Sequence, residues 1–125
     1  FWQEIMAESS DFKGIVLLEN IFEQTPELLK ERVEKIELPN VKIILDVGHA
    51  MLGSVSLEKW VKEFKDHLEY IHLHSNNGIH DQHQMPSDIE LMALGTLLNK
   101  YDVNPVISLE YKTDDPRREV EILRG

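Results

Sequence analysis

The segment Val41–His49 reads VKIILDVGH, an apolar run closed by an aspartate, a glycine and a histidine. Short apolar runs rich in β-branched residues, bounded by turn-forming residues, are typical of the buried strands of a parallel sheet. Three further runs of this form follow or precede it: Gly14–Glu19, Tyr70–His74 and Val106–Glu110. Stretches with helical spacing separate them, and this alternation predicts an α/β fold of four parallel βα repeats.

The stretches outside the runs carry the signals of helix starts. Thr25 followed by Pro26 is one such signal, and Ser56 ahead of an apolar stripe is another. The predicted helices lie at Phe1–Glu8, from Pro26 to Ile36, from Ser56 to Phe64, at Ile89–Tyr101 and at Arg117–Leu123. An eight-stranded barrel needs about 250 residues. The 125 residues of this chain therefore predict about half of a barrel or a small open sheet, as a piece of a longer protein.

Composition excludes several classes of function. The 13 Lys and Arg residues against 23 Asp and Glu give a formal net charge of −10, which disfavours a self-sufficient nucleic-acid binder. The chain has no cysteine, so disulfides, a thiolate nucleophile and Cys-bound zinc are excluded, and His, Asp and Glu are the candidate metal ligands. No apolar run approaches the roughly 18–20 residues of a membrane span. We expect a cytoplasmic protein without membrane contact.

At or near its carboxyl end, each of the four runs has a residue that binds metals or moves protons: Glu19, Asp46, His72 and Glu110. In parallel α/β folds the carboxyl ends of the strands meet at one edge, where active sites form. Three carboxylates converging there repel one another unless a divalent cation holds them. Each residue taken singly is equally well a solvated strand end. Together they predict a site for one divalent ion of the Mn²⁺, Mg²⁺, Co²⁺ or Zn²⁺ type.

A histidine follows the second of these strand ends on a predicted tight turn. His49 lies three residues after Asp46, and Gly48 between them allows a backbone conformation that other residues resist. His49 is a candidate for a second metal or for substrate contact, and the alternative is a loop histidine in solvent.

The stretch from His72 to His83 holds four of the six histidines. His74 shares a strand face with His72 in the predicted alternation, so that both face the site. Asp81 and His83 have an Asp-x-His spacing suited to a second ion or a substrate hydroxyl. A flexible polar loop is the alternative for this pair.

Several of these motifs together resemble one known family. They are LEN at Leu18–Asn20, LDVGH at Leu45–His49, IHLHSNNG at Ile71–Gly78 followed by Asp81 and His83, and SLE at Ser108–Glu110. The set resembles the xylose isomerase-like TIM-barrel superfamily, which includes sugar and sugar-phosphate isomerases and epimerases and the endonuclease IV family (AP endonuclease family 2). The resemblance implies that residues 1–125 form the C-terminal half of such a barrel, strands five to eight.

The ketose 3-epimerase-like branch of that superfamily implies particular roles. Glu19, Asp46, His72 and Glu110 would hold one divalent metal, with His49 near the substrate. Glu19 and Glu110 would also serve as the catalytic acid/base pair. The resemblance therefore implies a metal-dependent isomerase or epimerase acting on a small sugar or sugar phosphate.

Two alternative functions stay open. In the endonuclease IV branch, His49, Asp81 and His83 would help bind a zinc cluster that attacks abasic DNA, although a net charge of −10 counts against DNA binding. The other alternative is a catalytically silent, metal-binding half-barrel. Relatives commonly have Asp where Ser75 stands and Gly-Glu-Gly near Met85–Asp88, which are departures in the substrate loop. A half-barrel exposes two sheet edges, so we expect a partner: a second copy of the chain or an N-terminal half.

Overall fold

The computed structural model describes residues 13–125, and the helix predicted at Phe1–Glu8 lies outside the described residues. Each of the four apolar runs forms a strand: β1 Val16–Glu19, β2 Val41–Asp46, β3 Leu68–Leu73 and β4 Val106–Leu109. The strands pair in the order β1-β2-β3-β4, and every pair is parallel. The α/β fold with sequential parallel strands, half of a TIM barrel, is as predicted.

Within residues 13–125 five helices accompany the strands: α1 Glu27–Ile36, α2 Val47–Met51, α3 Leu57–Phe64, α4 Asp88–Lys100 and α5 Pro116–Arg124. The helix starts follow local signals. The Ser56 side chain accepts a hydrogen bond from the Lys59 amide at the start of α3. Helix α1 begins directly after Pro26, which is itself in the helical region and has no side-chain cap.

The core lies between the helices and one face of the sheet. Ile43 and Leu45 of β2 and Ile71 of β3 are fully buried and cluster with Trp60 and Phe64 of α3. Because successive side chains of a strand point to opposite faces, the residues between them face away from this core. At the carboxyl edge of the sheet the strands end in polar residues, among them Asp46 and the neighbouring His72.

The strand register brings the carboxyl ends into line. Asp46 of β2 pairs with His72 of β3, which pairs with Ser108 of β4. The amide of Glu110, just past β4, donates to the Leu73 carbonyl at 2.9 Å and extends the ladder by one step. Polar groups from all four strands thus meet at one edge. None of the helices within residues 13–125 is both long and apolar enough to cross a membrane.

Candidate functional site

His72 lies between carboxylates from the two outer strands. Its Nδ1 atom is 3.1 Å from Oε1 of Glu19, the last residue of β1, and 3.3 Å from Oε1 of Glu110, which follows β4. Since β1 and β4 are separated by two strands, the sheet must curl strongly for both carboxylates to reach one nitrogen. The curl brings together the two glutamates predicted as an acid/base pair.

Asp46 is the buried member of the four strand-end residues, with 1% of its surface exposed. Its carboxylate accepts a hydrogen bond from the His49 amide at 2.8 Å, which starts helix α2. Ligand atoms of Glu19, Asp46 and His72 lie within 4.8 Å of one another, a separation that one ion can span. The structure therefore brings the four predicted ligands to one place, with Glu110 joining through His72.

Asn20 ties the first two strand ends together. Its side-chain amide donates to the Asp46 carbonyl at 3.0 Å, and its Oδ1 accepts from the Asp46 amide at 2.8 Å. This side chain replaces the backbone pairing that ends with β1, and it satisfies two buried groups of Asp46. The sequence analysis assigned no role to Asn20, although it directly follows the strand-end Glu19.

His74 is buried completely beneath this group. Its Nε2 atom lies 2.9 Å from Oδ1 and 3.1 Å from Oδ2 of Asp46, so the imidazole orients that carboxylate. Its Nδ1 atom has no hydrogen-bond partner among the described residues and lies 3.6 Å from Oδ1 of Asp81. His74 thus joins the buried aspartate to the carboxylate of the third loop.

The predicted tight turn at Gly48 is wrong. Gly48 lies inside helix α2 and has no positive φ, so it is not there for its backbone freedom. A Cβ atom at this position would lie 1.9 Å from Cε1 of His74. The glycine is needed because it leaves room for the His74 ring, a contact between distant segments that local sequence does not reveal.

The residues predicted to bind a second ion or the substrate also lie close together in the structure. Asp81 Oδ2 lies 3.1 Å from Nε2 of His49 and 3.4 Å from Nε2 of His83. The His83 ring stacks on the His74 ring at a centroid distance of 3.8 Å and an interplanar angle of 4°. Ligand atoms of His74, His83 and Glu110 form one possible metal-binding group, and those of Asp46, His49 and His74 form another.

Two groups of the site have shifted pKa values. Partial burial raises the pKa of Glu19 above its ordinary value, the Asp46 carboxylate adds to the rise, and His72 opposes it. Burial would lower the pKa of His49, but the Asn20 carbonyl and the carboxylates of Asp46 and Asp81 outweigh it and raise that pKa. Glu19 is thus easier to protonate than a solvated glutamate, and His49 holds its proton more tightly.

The departure at Ser75 has a structural counterpart. Its hydroxyl donates to Oε1 of Glu90 at 2.5 Å, and its backbone pairs with Gln84 in an antiparallel bridge. Glu90 also forms a capping box with Ser87 at the start of α4. The sequence analysis missed Glu90, although the spacing Ser-x-x-Glu is the ordinary signature of such a box.

The donor set suits a divalent cation. Ligand atoms of Glu19, Asp46 and His72 lie within 4.8 Å of one another, and Oε1 of Glu110 lies 3.3 Å from Nδ1 of His72. Carboxylate oxygens and imidazole nitrogens of this kind suit hard to borderline ions. The three clustered carboxylates of Glu19, Asp46 and Glu110 would otherwise repel one another. The residues present therefore fit one divalent metal.

Known proteins resemble this chain in sequence. The family model of the xylose isomerase-like TIM barrel matches residues 2–124. Among curated proteins, an uncharacterized protein of Methanocaldococcus jannaschii is 29% identical over 120 residues, which cover 91% of this chain and 39% of the relative.

Solved structures of other proteins resemble the chain as well. A D-tagatose 3-epimerase-like protein has a TM-score of 0.72 and 27% identity, and the 3-keto-D-glucoside 4-epimerase of E. coli has 0.68 and 18%. The match to each covers 98% of this chain and 50% of the other. An AP endonuclease of family 2 from Brucella melitensis has a TM-score of 0.67 and 15% identity, covering 90% of this chain and 46% of the other. The chain belongs to the xylose isomerase-like TIM barrel family and spans about half the length of these solved structures.

Proposed function

We propose that this protein is a divalent-metal-dependent isomerase or epimerase that moves a proton at a carbon atom of a sugar or sugar phosphate. One observation carries the proposal: a carboxylate oxygen of Glu19 and one of Glu110 lie beside the same atom, Nδ1 of His72, at 3.1 and 3.3 Å. Two carboxylates facing a common space suit the removal of a proton from one side of a carbon and its return from the other.

Glu19, Asp46, His72 and Glu110 would hold the metal, which we propose to be a single Mn²⁺, Mg²⁺, Co²⁺ or Zn²⁺ ion. When bound, such an ion polarises a carbonyl and its neighbouring hydroxyl, which makes the adjacent C–H bond acidic enough to break. The chain's own part is to orient Asp46 through His74 and to supply the two glutamates. The raised pKa of Glu19 brings it nearer to neutral pH, where an acid/base group works best.

Similar proteins support this choice of reaction. The D-tagatose 3-epimerase-like structure is 27% identical and the E. coli protein is a 3-keto-D-glucoside 4-epimerase. Both names refer to sugar epimerases. We propose a substrate of that class for this protein, and with it a place in the cytoplasm, where small sugars and their phosphates are metabolised.

The experiment is proton exchange from solvent. The purified protein, stripped of metal and reloaded with Mn²⁺ or Co²⁺, is incubated in D₂O with a panel of ketoses and ketose phosphates, and deuterium on substrate carbon is followed by NMR. We expect deuterium at a carbon next to a carbonyl only in the metal-loaded sample. If the reloaded protein binds the metal and no substrate carbon takes up deuterium, the proposal is contradicted.

A zinc phosphodiesterase acting on abasic DNA is the second candidate. The contacts of Asp81 favour it: its Oδ2 atom lies 3.1 Å from Nε2 of His49 and 3.4 Å from Nε2 of His83, and residues of these types bind zinc. The formal net charge of −10 opposes it, because phosphate backbones are repelled. Binding of three zinc ions together with cleavage of an abasic-site duplex would favour this candidate over the epimerase.

A catalytically silent half-barrel that only binds metal is the third candidate, and it predicts one bound ion without exchange. For all three we propose that a partner covers the edges of β1 and β4, either a second copy of the chain or the N-terminal half of the barrel. The molar mass of the purified protein by light scattering distinguishes these two partners.

A further inference from the structure

The loop between β3 and α4 is closed by one carboxylate. Glu90 accepts a hydrogen bond from the Ser75 hydroxyl on Oε1 at 2.5 Å and from the Ser87 amide on Oε2 at 2.6 Å. Ser75 lies at the beginning of the loop and Ser87 at its end. The two oxygens of a single side chain therefore join the two ends of the loop.

A second contact closes the same loop through the backbone. The Ser75 amide donates to the Gln84 carbonyl, and the Gln84 amide donates to the Ser75 carbonyl, both at 2.8 Å. Ser75 is 5% exposed, so its hydroxyl has little water to replace the bond to Glu90. The residues from 76 to 83 are thus held as a loop whose ends meet.

This closed loop carries two groups into the site, and one of them is strained. His83 has a φ of 51°, in the left-handed region that residues with side chains rarely adopt. Such a conformation persists only where its surroundings enforce it. In this conformation the His83 ring stacks on the His74 ring, and Nδ1 of His83 lies 3.2 Å from the Glu110 carbonyl oxygen. Asp81, in the same loop, contacts His49.

We propose that Glu90 is a positioning residue of the site, which acts with Ser75 to hold Asp81 and His83 against His74 and Glu110. The pair also limits which residue can stand at position 75. An aspartate there would bring a second carboxylate against Glu90 at the place of the 2.5 Å hydrogen bond, so Ser75 and Glu90 form a matched pair. The lowered pKa of Glu90 agrees with this geometry: burial would raise it, but the hydrogen bonds from Ser75 and Ser87 outweigh burial.

The inference rests on the proposed function only in naming the site that the loop serves. Its test is therefore made on the metal-free protein with two readouts that need no turnover. Amide hydrogen exchange at Gln84 reports the closed loop, and the NMR signal of the His83 ring proton, shielded by the stacked His74 ring, reports the position of His83. A protein that binds no metal would refute the proposed function and leave both readouts usable.

Four variants decide the question. Glu90→Gln and Ser75→Ala each remove part of the closure, and we expect Gln84 exchange to rise about tenfold with a shift of the His83 signal, since a hydrogen bond to a charged group is worth about that factor. Ser75→Asp should have a larger effect, and Ser75→Asp combined with Glu90→Gln should restore both readouts, because the Gln amide can donate to the new carboxylate. Asp88→Asn is the matched control, since it removes a first-turn carboxylate of α4 that pairs with Arg118 and not with the loop.

Three results would overturn the inference. They are unchanged exchange and an unchanged His83 signal in Glu90→Gln, a tolerated Ser75→Asp beside an intact Glu90, and an effect of Asp88→Asn as large as that of Glu90→Gln. The last would mean that Glu90 acts only through the stability of the helix.

Discussion

Gly48 and His74 are in direct contact, because the glycine leaves the space that the His74 ring fills: a Cβ atom at position 48 would lie 1.9 Å from Cε1 of the imidazole. The two residues come from α2 and the end of β3. The contact lets His74 reach the Asp46 carboxylate from a fully buried position. A glycine without unusual backbone angles is thus part of the site.

Replacement of Gly48 by alanine should therefore overfill this contact. We expect Gly48→Ala to lower the free energy of unfolding by about 1–3 kcal/mol, the usual cost of inserting a methyl group into a packed interior. Urea unfolding measures it. Since His74→Ala removes the ring that clashes, the double variant should be more stable than the sum of the two single effects predicts. Strictly additive changes in the free energy of unfolding would show that the methyl group of Gly48→Ala clashes with a group other than the His74 ring.

Glu110 is expected to be needed for turnover and not for folding. Its carboxylate is partly exposed at the strand edge, so Glu110→Gln should leave the thermal midpoint within a few degrees of the original. Turnover, measured as deuterium uptake into the substrate, should fall by about 100-fold or more, since a positioned acid or base contributes at least that factor. Glu121→Gln, an exposed glutamate of α5, is the control and should leave turnover unchanged. Full activity in Glu110→Gln would remove Glu110 from the acid/base pair.

Metal binding should depend on His72 and not on the exposed His80. Both are histidines of the same region, but only His72 contacts Glu19 and Glu110. An ion that is present at a free concentration 100 times its Kd stabilises the folded state by about 2.7 kcal/mol. We expect Co²⁺ to raise the thermal midpoint of the original protein and of His80→Ala, and EDTA to reverse it. The same rise in His72→Ala would contradict the proposed ligand set.

The metal-free protein should owe part of its stability to protonated His49. The pKa of His49 in the folded state is raised above 6.5 by the Asn20 carbonyl and by Asp46 and Asp81, which outweigh burial. A raised folded pKa adds stability that is fully present below about pH 6.5 and is lost as the pH rises through the folded value. The advantage in thermal midpoint over His49→Asn should therefore shrink between pH 6 and pH 9.

An NMR titration of the His49 ring proton checks the cause directly. Its midpoint should lie above 6.5 and should fall in Asp81→Asn, which removes the negative charge and leaves His49 with a neutral hydrogen-bond partner. A midpoint at or below 6.5 in the original protein would contradict the prediction.

The sequence was enough to predict the strands, most helix bounds and the strand-end residues. Each strand is a local apolar run, and local runs are visible in the chain; helix α3, for instance, begins after Ser56 as its capping pattern predicts. That Asp46 and His72 would lie side by side also follows from the sequence, because parallel strands align their carboxyl ends. The predicted turn at Gly48 is wrong, because a short helix forms there. The glycine is needed to leave room for the ring of His74, more than twenty residues away in the chain.

What the sequence by itself determined is the set of elements and the residues at their ends, because periodicity, caps and turn residues act within a few positions along the chain. What only the tertiary structure decided is how those ends face one another. The curl of the sheet brings Glu19 and Glu110 to the same nitrogen of His72. The closure of the third loop by Ser75 and Glu90 depends likewise on packing between segments far apart in the chain. Such distances are set by the sum of all contacts, and no local pattern encodes them.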